Sequence, residues 1–222
     1  MILYLVLHLC GGSYPQYILT KAAEPKLNNA NETIKSVFSS LYGKILYYWF
    51  PPTDGYDVCP KWAMPNFPET NNSAETDDSA ETDKYTITFV IKHSQHPLLL
   101  VEIMPPSDFQ LDSARSAAMA QVIQHLDVVG PTNQFADRLY AISAIGKRWR
   151  ACYALKGKGS ASGQPVMDVA AANSLTNASP ECWNNVSPEC WNKDITTDDS
   201  WAALKRIVDT IKGYVDPQEA NQ

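Results

Sequence analysis

The chain has 222 residues, 45% of them hydrophobic and 19% charged, enough for one domain with a real core. Its net charge of −6 and pI near 5.2 argue against strong non-specific nucleic-acid binding, which rests on Lys and Arg, though a local basic cleft is compatible with that balance. Five cysteines with no C-x-x-C pair argue against a disulfide scaffold or a structural zinc site, and for reduced thiols in an intracellular protein.

The chain opens on "MILYLVLHLCGG", an apolar run of signal-peptide length. No Lys or Arg precedes it, and no clean small-residue cleavage site follows. It is too short to span a bilayer, so no transmembrane segment is expected. Sequons at Asn31, Asn71, Asn177 and Asn185 agree with secretion, which stands as the alternative location. Residues 1–30 read as a leader or a disordered N-terminus.

Ile34, Phe38, Leu41 and Ile45 recur at helical spacing, which predicts an amphipathic helix over 31–50, capped by Asn31 and stopped by Pro51-Pro52. Residues 51–84 read as an acidic low-complexity loop, in which "SAETD" occurs twice in tandem. "YTITFVIKH" (85–93) alternates and is β-branched, so it reads as a strand. "PLLLVEIM" (97–104) is nearly all apolar and reads as a central strand, joined to the first by a hairpin at "SQ".

Residues 113–129 favour a helix, with Asp112 or Ser113 as its cap. Residues 137–155 read as two strands around a turn at Gly146-Lys147. A long loop follows over 156–197 and carries a second duplication, "SPECWNN" and "SPECWNK". The last helix starts near Asp198, Asp199 and Ser200, which are expected to cap it. Trp201, Leu204, Ile207, Val208 and Ile211 share one of its faces. Residues 31–215 thus form one α/β domain, a small mixed sheet of about four strands flanked by helices, with 216–222 as a tail.

"GKGSASG" has Lys158 before Gly159, which is the wrong order for a phosphate-binding loop, and no G-x-S-x-G elbow exists. His93, His96 and His125 lack a second ligand at metal spacing and read as surface histidines. The paired Cys-Trp units read as a tolerated local duplication, with an aromatic binding surface as the alternative. Glu102 is different. It sits at the carboxyl end of a central strand, and Met104 shares its face. A carboxylate buried there needs a metal, a cation or a hydrogen-bond donor. The simpler reading is a glutamate that reaches solvent, or pairs with Arg115 or Lys147.

"LLLVEIMPPSDFQLDSARSAAMAQVI" and "LYAISAIGKRWRACYAL" resemble a group of uncharacterised fungal proteins with a PD-(D/E)XK nuclease-like domain. Glu102, Pro105 and Pro106 fit that group's glutamate strand, and Asp112, Ser113, Arg115 and Gln121 fit its helix. Ser143, Ala144, Gly146 and Arg148 fit its strand pair, and Trp191-Asn192 with the helix at 201–214 fit its end.

The resemblance implies a restriction-endonuclease-like core. It also implies phosphodiester hydrolysis by a divalent metal, Mg²⁺, held on Asp and Glu, with a Lys two residues after the Glu. This chain departs at both other positions. Thr88 stands where the group has Asp, and Met104 stands where it has Lys. A thioether neither donates a proton nor stabilises a phosphate in transfer. Glu102, the one remaining metal ligand, and Gln121 are then a remnant site. Lys92 or Lys147 would have to take over the lysine role, and Asp83 is out of phase with Thr88.

The leading expectation is a catalytically degenerate nuclease-like domain, without a cofactor, acting as a binding or interaction module. Its partner would be nucleic acid or protein, met by Arg115, Lys147, Arg148 and Arg150 beside Glu102 and Gln121. The simpler reading of the "GKRWR" turn is a solvated hairpin with Trp149 packed inward. The alternatives are an active Mg²⁺-dependent endonuclease with relocated groups and a small secreted protein.

Overall fold

The computed structural model describes residues 13–29, 35–63, 86–130, 138–155 and 188–219. Helices α1 (Gln16–Ala22), α2 (Lys35–Trp49), α3 (Asp112–Val129) and α4 (Asp198–Glu219) accompany strands β1 (Tyr56–Ala63), β2 (Thr86–His93), β3 (His96–Met104), β4 (Arg138–Ile145), β5 (Arg148–Leu155) and β6 (Lys193–Asp194). The strands form one sheet in chain order, β1 to β6. Only the β3–β4 pair is parallel among them. The α/β character is as expected, but the sheet has six strands rather than about four.

The extra strands come from segments read as loops. Residues 51–63 are not all acidic spacer. Tyr56, Val58 and Trp62 alternate within Tyr56–Ala63, and the strand pairs with β2 along the sheet edge. Pro60 is tolerated there because an edge strand has one side without a ladder. The two-residue β6 likewise falls inside the expected 156–197 loop.

The β2–β3 hairpin turns on Ser94 and Gln95, both with positive φ (48° and 70°), the backbone twist that matches two right-twisted strands. After β3, Pro105 and a 3-10 turn at Pro106–Gln110 redirect the chain into α3. That helix crosses over and returns it parallel to β3 as β4, as a parallel pair requires. The expected α3 cap is not made. Leu111 precedes the helix without a side-chain cap, and Asp112 pairs with Arg115 instead.

Phe89 and Thr88 are neighbours in β2, so they point to opposite faces. Gly43 of α2 lies over Phe89, with space for a Cβ only 3.5 Å from the ring. His125 of α3 meets the Thr88 face through Glu102. Helices therefore cover both sides of the sheet. Ala118, Met119, Val122, Leu126 and Val129 form the buried stripe of α3. The predicted apolar face of α4, Trp201, Leu204, Ile207, Val208 and Ile211, is buried in full.

Two expectations at the chain's ends need revision. Residues 13–29, read as leader, hold Tyr14, Ile18, Ala22 and Leu27 in the core, and Tyr14 meets Trp201 edge-on at 4.6 Å. Trp201 also packs on Trp49 at 4.4 Å. The α4 cap is Thr197, whose Oγ1 accepts the Ser200 N–H at 3.3 Å. Ser200 turns inward, where its hydroxyl accepts from Trp149 Nε1 at 2.9 Å.

Residues 1–12, the acidic repeat with Asp83, the 156–163 loop and the first Cys-Trp copy lie outside the described residues. Among the described residues, no helix is long and apolar enough to cross a membrane.

Candidate functional site

Glu102 lies near the carboxyl end of β3 and is 2% exposed. It does not reach solvent. Thr88 is one step beyond the Phe89–Val101 pair of the β2–β3 ladder, which sets it beside Glu102. Its hydroxyl donates to Glu102 Oε2 at 3.1 Å and accepts the Ile103 N–H at 3.3 Å. On the other side His125 Nδ1 stands 3.0 Å from Glu102 Oε1. That is ion-pair distance, yet the ring N–H points off the line of a hydrogen bond. Helix α3 supplies His125, three turns after its start, and buries it completely.

His93 is also buried, so two of the three histidines expected at the surface are inside.

The polar row continues across the sheet. Ser143 is the β4 partner of Glu102, and Arg150 is the β5 partner of Ser143. Both are buried. The Arg150 guanidinium lies 4.8 Å from the Trp191 ring centre, within cation–π range. Trp191 is fully buried, so the second Cys-Trp copy is core and not an aromatic binding surface. Thr88, Glu102, Ser143 and Arg150 thus form a line over four strands. Only the glutamate was legible as a site residue with a carboxylate role. His125 carried no motif that marked it, and Ser143 entered only through the strand pair of the resemblance, with no site role.

The remaining expected residues spread out. Met104 is half-buried against the core and pairs with Ile145. Gln121 is half-buried on α3. Arg115 is buried, bonded to the Phe109 carbonyl and to Asp112. Arg150 and Arg115 therefore do not present their guanidinium groups at the surface. Lys92 pairs with Pro97, five residues before Glu102, roughly 16 Å along the strand. Trp149 packs inward as expected of a solvated hairpin.

These donors do not suit Mg²⁺. The ion asks for several oxygens in near-octahedral array. Here one carboxylate is bracketed by a hydroxyl and an imidazole, with a thioether on the same face. Among the described residues no three His, Cys, Asp or Glu side chains form a metal-holding group.

A second, open feature lies where β3 and β4 end. A cavity of about 640 Å³ is lined by the Pro106–Gln110 turn, by Lys147 and Arg148 of the β4–β5 turn, by Phe38 of α2 and by Asp194 of β6. Its lining contains none of Thr88, Glu102 or His125. The turn that forms its wall needs glycine. Gly146 has φ 61°, its N–H bonds the Met104 carbonyl at 2.8 Å, and a Cβ there would fall 2.8 Å from Pro106 Cβ. Lys147 Nζ faces Asp194 Oδ2 at 3.9 Å. No protein-family model, no curated protein and no solved structure matches this chain.

Proposed function

We propose that this chain is a PD-(D/E)XK nuclease-like domain that has lost metal-dependent cleavage and acts as a binding or interaction module. One observation carries the reading. The two positions that the resemblance pairs as metal ligands touch each other: Thr88 donates to Glu102 at 3.1 Å. The placement favours a shared ancestry of site. The chemistry disfavours present catalysis, because a hydroxyl satisfies one carboxylate oxygen and an imidazole stands against the other. Met104 supplies no proton donor on that face.

Function then shifts from the buried row to the open cavity at the strand ends. Ligands of open α/β sheets gather at such ends.

Supercoiled plasmid incubated with the protein and Mg²⁺ or Mn²⁺ tests the loss of cleavage. The expected result is no nicking above buffer. Nicking that disappears in Glu102→Ala would establish an active endonuclease instead.

A further inference from the structure

We propose that the cavity between Phe109 and the β4–β5 turn binds a small aromatic carboxylate. The inference deepens the binding part of the reading above and does not depend on nuclease ancestry.

At about 640 Å³ the cavity has the size of a small-molecule site. Its walls are Phe38, Pro106, Phe109 and Ile145, so a flat apolar body is suited to it. Two cations and one anion, Lys147, Arg148 and Asp194, are its charged lining, beside the neutral Asn29, Ser107 and Gln110. The anion is already used. Asp194 Oδ1 accepts the Thr196 N–H at 3.0 Å and its hydroxyl at 2.6 Å, and Oδ2 faces Lys147.

Arg148 is exposed, with its guanidinium 5.0 Å from the Phe109 ring centre. Among the described residues no carboxylate lies within ion-pair distance of it. A guanidinium held on a ring at the mouth of an apolar cavity offers a planar fork for a carboxylate. The ligand's ring would lie against Phe109 and Pro106, and its carboxylate would meet Arg148 beside Lys147. A neutral aromatic would leave the fork unused, and a bare inorganic anion would leave the apolar walls wet.

The test uses the full chain and three probes: 1-naphthoate, its neutral analogue 1-naphthalenemethanol, and inorganic phosphate. Titration calorimetry, with amide shifts to locate the site, is expected to give saturable one-to-one binding of naphthoate. The shifts should centre on Phe109 and Arg148. The alcohol should bind roughly ten-fold or more weakly, as loss of a charge-assisted contact predicts. Phosphate should not compete.

Arg148→Gln, at an exposed position, should weaken naphthoate by a similar factor and leave the alcohol unchanged. Ser107→Trp should block both. No saturable naphthoate binding, equal binding of the alcohol, competition by phosphate, or indifference to Arg148→Gln would each overturn the proposal. Plasmid nicking bears on none of these outcomes, so the two readings fail separately.

Discussion

Thr88 and Glu102 are joined across β2 and β3 by a 3.1 Å hydrogen bond, deep in the interior. The threonine hydroxyl donates and the carboxylate accepts, so the two side chains satisfy each other. Thr88→Asp would set a second carboxylate against Glu102. A second carboxylate buried beside Glu102 should cost about 3 kcal/mol, read by urea unfolding at neutral pH. A loss below about 1 kcal/mol would show that water reaches the row. Recovery of most of the loss on adding Mn²⁺ would show that the new carboxylate pair takes up a metal, against the donor-set argument.

How far the sequence disclosed this can be argued residue by residue. β2, β3, β4, β5, α2 and α4 follow from periodicity or from β-branched and apolar runs, α3 from its helix-forming composition, and Ser94-Gln95 from its place between two such runs. Glu102 was legible because a lone carboxylate in an apolar strand needs a partner. That partner was not legible. His125 meets it only through the three-dimensional crossover of α3, and nothing local in "IQHLD" points to a strand. β1 was missed because Tyr56, Val58 and Trp62 alternate against Pro60 and Lys61, inside a segment whose composition is otherwise that of a spacer. Arg115 and Arg150 looked like surface cations because composition cannot show a guanidinium lying on a ring or bonded to a carbonyl.

Gly146→Ala tests the turn that walls the cavity. The positive φ and the 2.8 Å approach to Pro106 both oppose a methyl group. Strain and overpacking together should cost about 2–4 kcal/mol. Thermal or urea unfolding measures it, and a change under about 1 kcal/mol would mean that Pro106 gives way.

Trp149 and Ser200 tie β5 to the start of α4 through a buried 2.9 Å hydrogen bond. Ser200→Ala strands the indole N–H and should cost about 1–3 kcal/mol. A double-mutant cycle with Trp149→Phe should return a coupling near 1 kcal/mol. Zero coupling would mean that water replaces the hydroxyl.

Burial pushes the Cys152 thiol up to about 12. The native thiol therefore keeps its proton where an unfolded one has lost it. The unfolded chain binds fewer protons from about pH 9 upward, so stability falls as pH rises from there towards 12. At neutral pH alkylation followed by peptide mapping should modify the partly exposed Cys59 and spare Cys152 and Cys190 until denaturant is added. Labelling of Cys152 in the folded chain at the rate of Cys59 would contradict its burial.

Trp191→Ala removes the ring beneath Arg150 and should cost about 4 kcal/mol. Deleting residues 179–186, the other copy of the Cys-Trp unit, should change stability by about 0.5 kcal/mol or less. Equal losses in the two variants, measured by urea unfolding, would show that both copies are needed.

Because the strands lie side by side in the order in which they are made, the two tandem duplications fall in comparable places. One falls in the connection from β1 to β2, and the other runs from the β5–β6 connection into β6 itself. Both connections link strands that are already neighbours. Lengthening such a tether by a few residues costs about a few tenths of a kcal/mol, since closure entropy grows only with the logarithm of length. The segment between β3 and His125 has less freedom, because α3 must land His125 against Glu102. Insertions in those two connections should therefore cost little, whereas a shift of α3 would part His125 from Glu102.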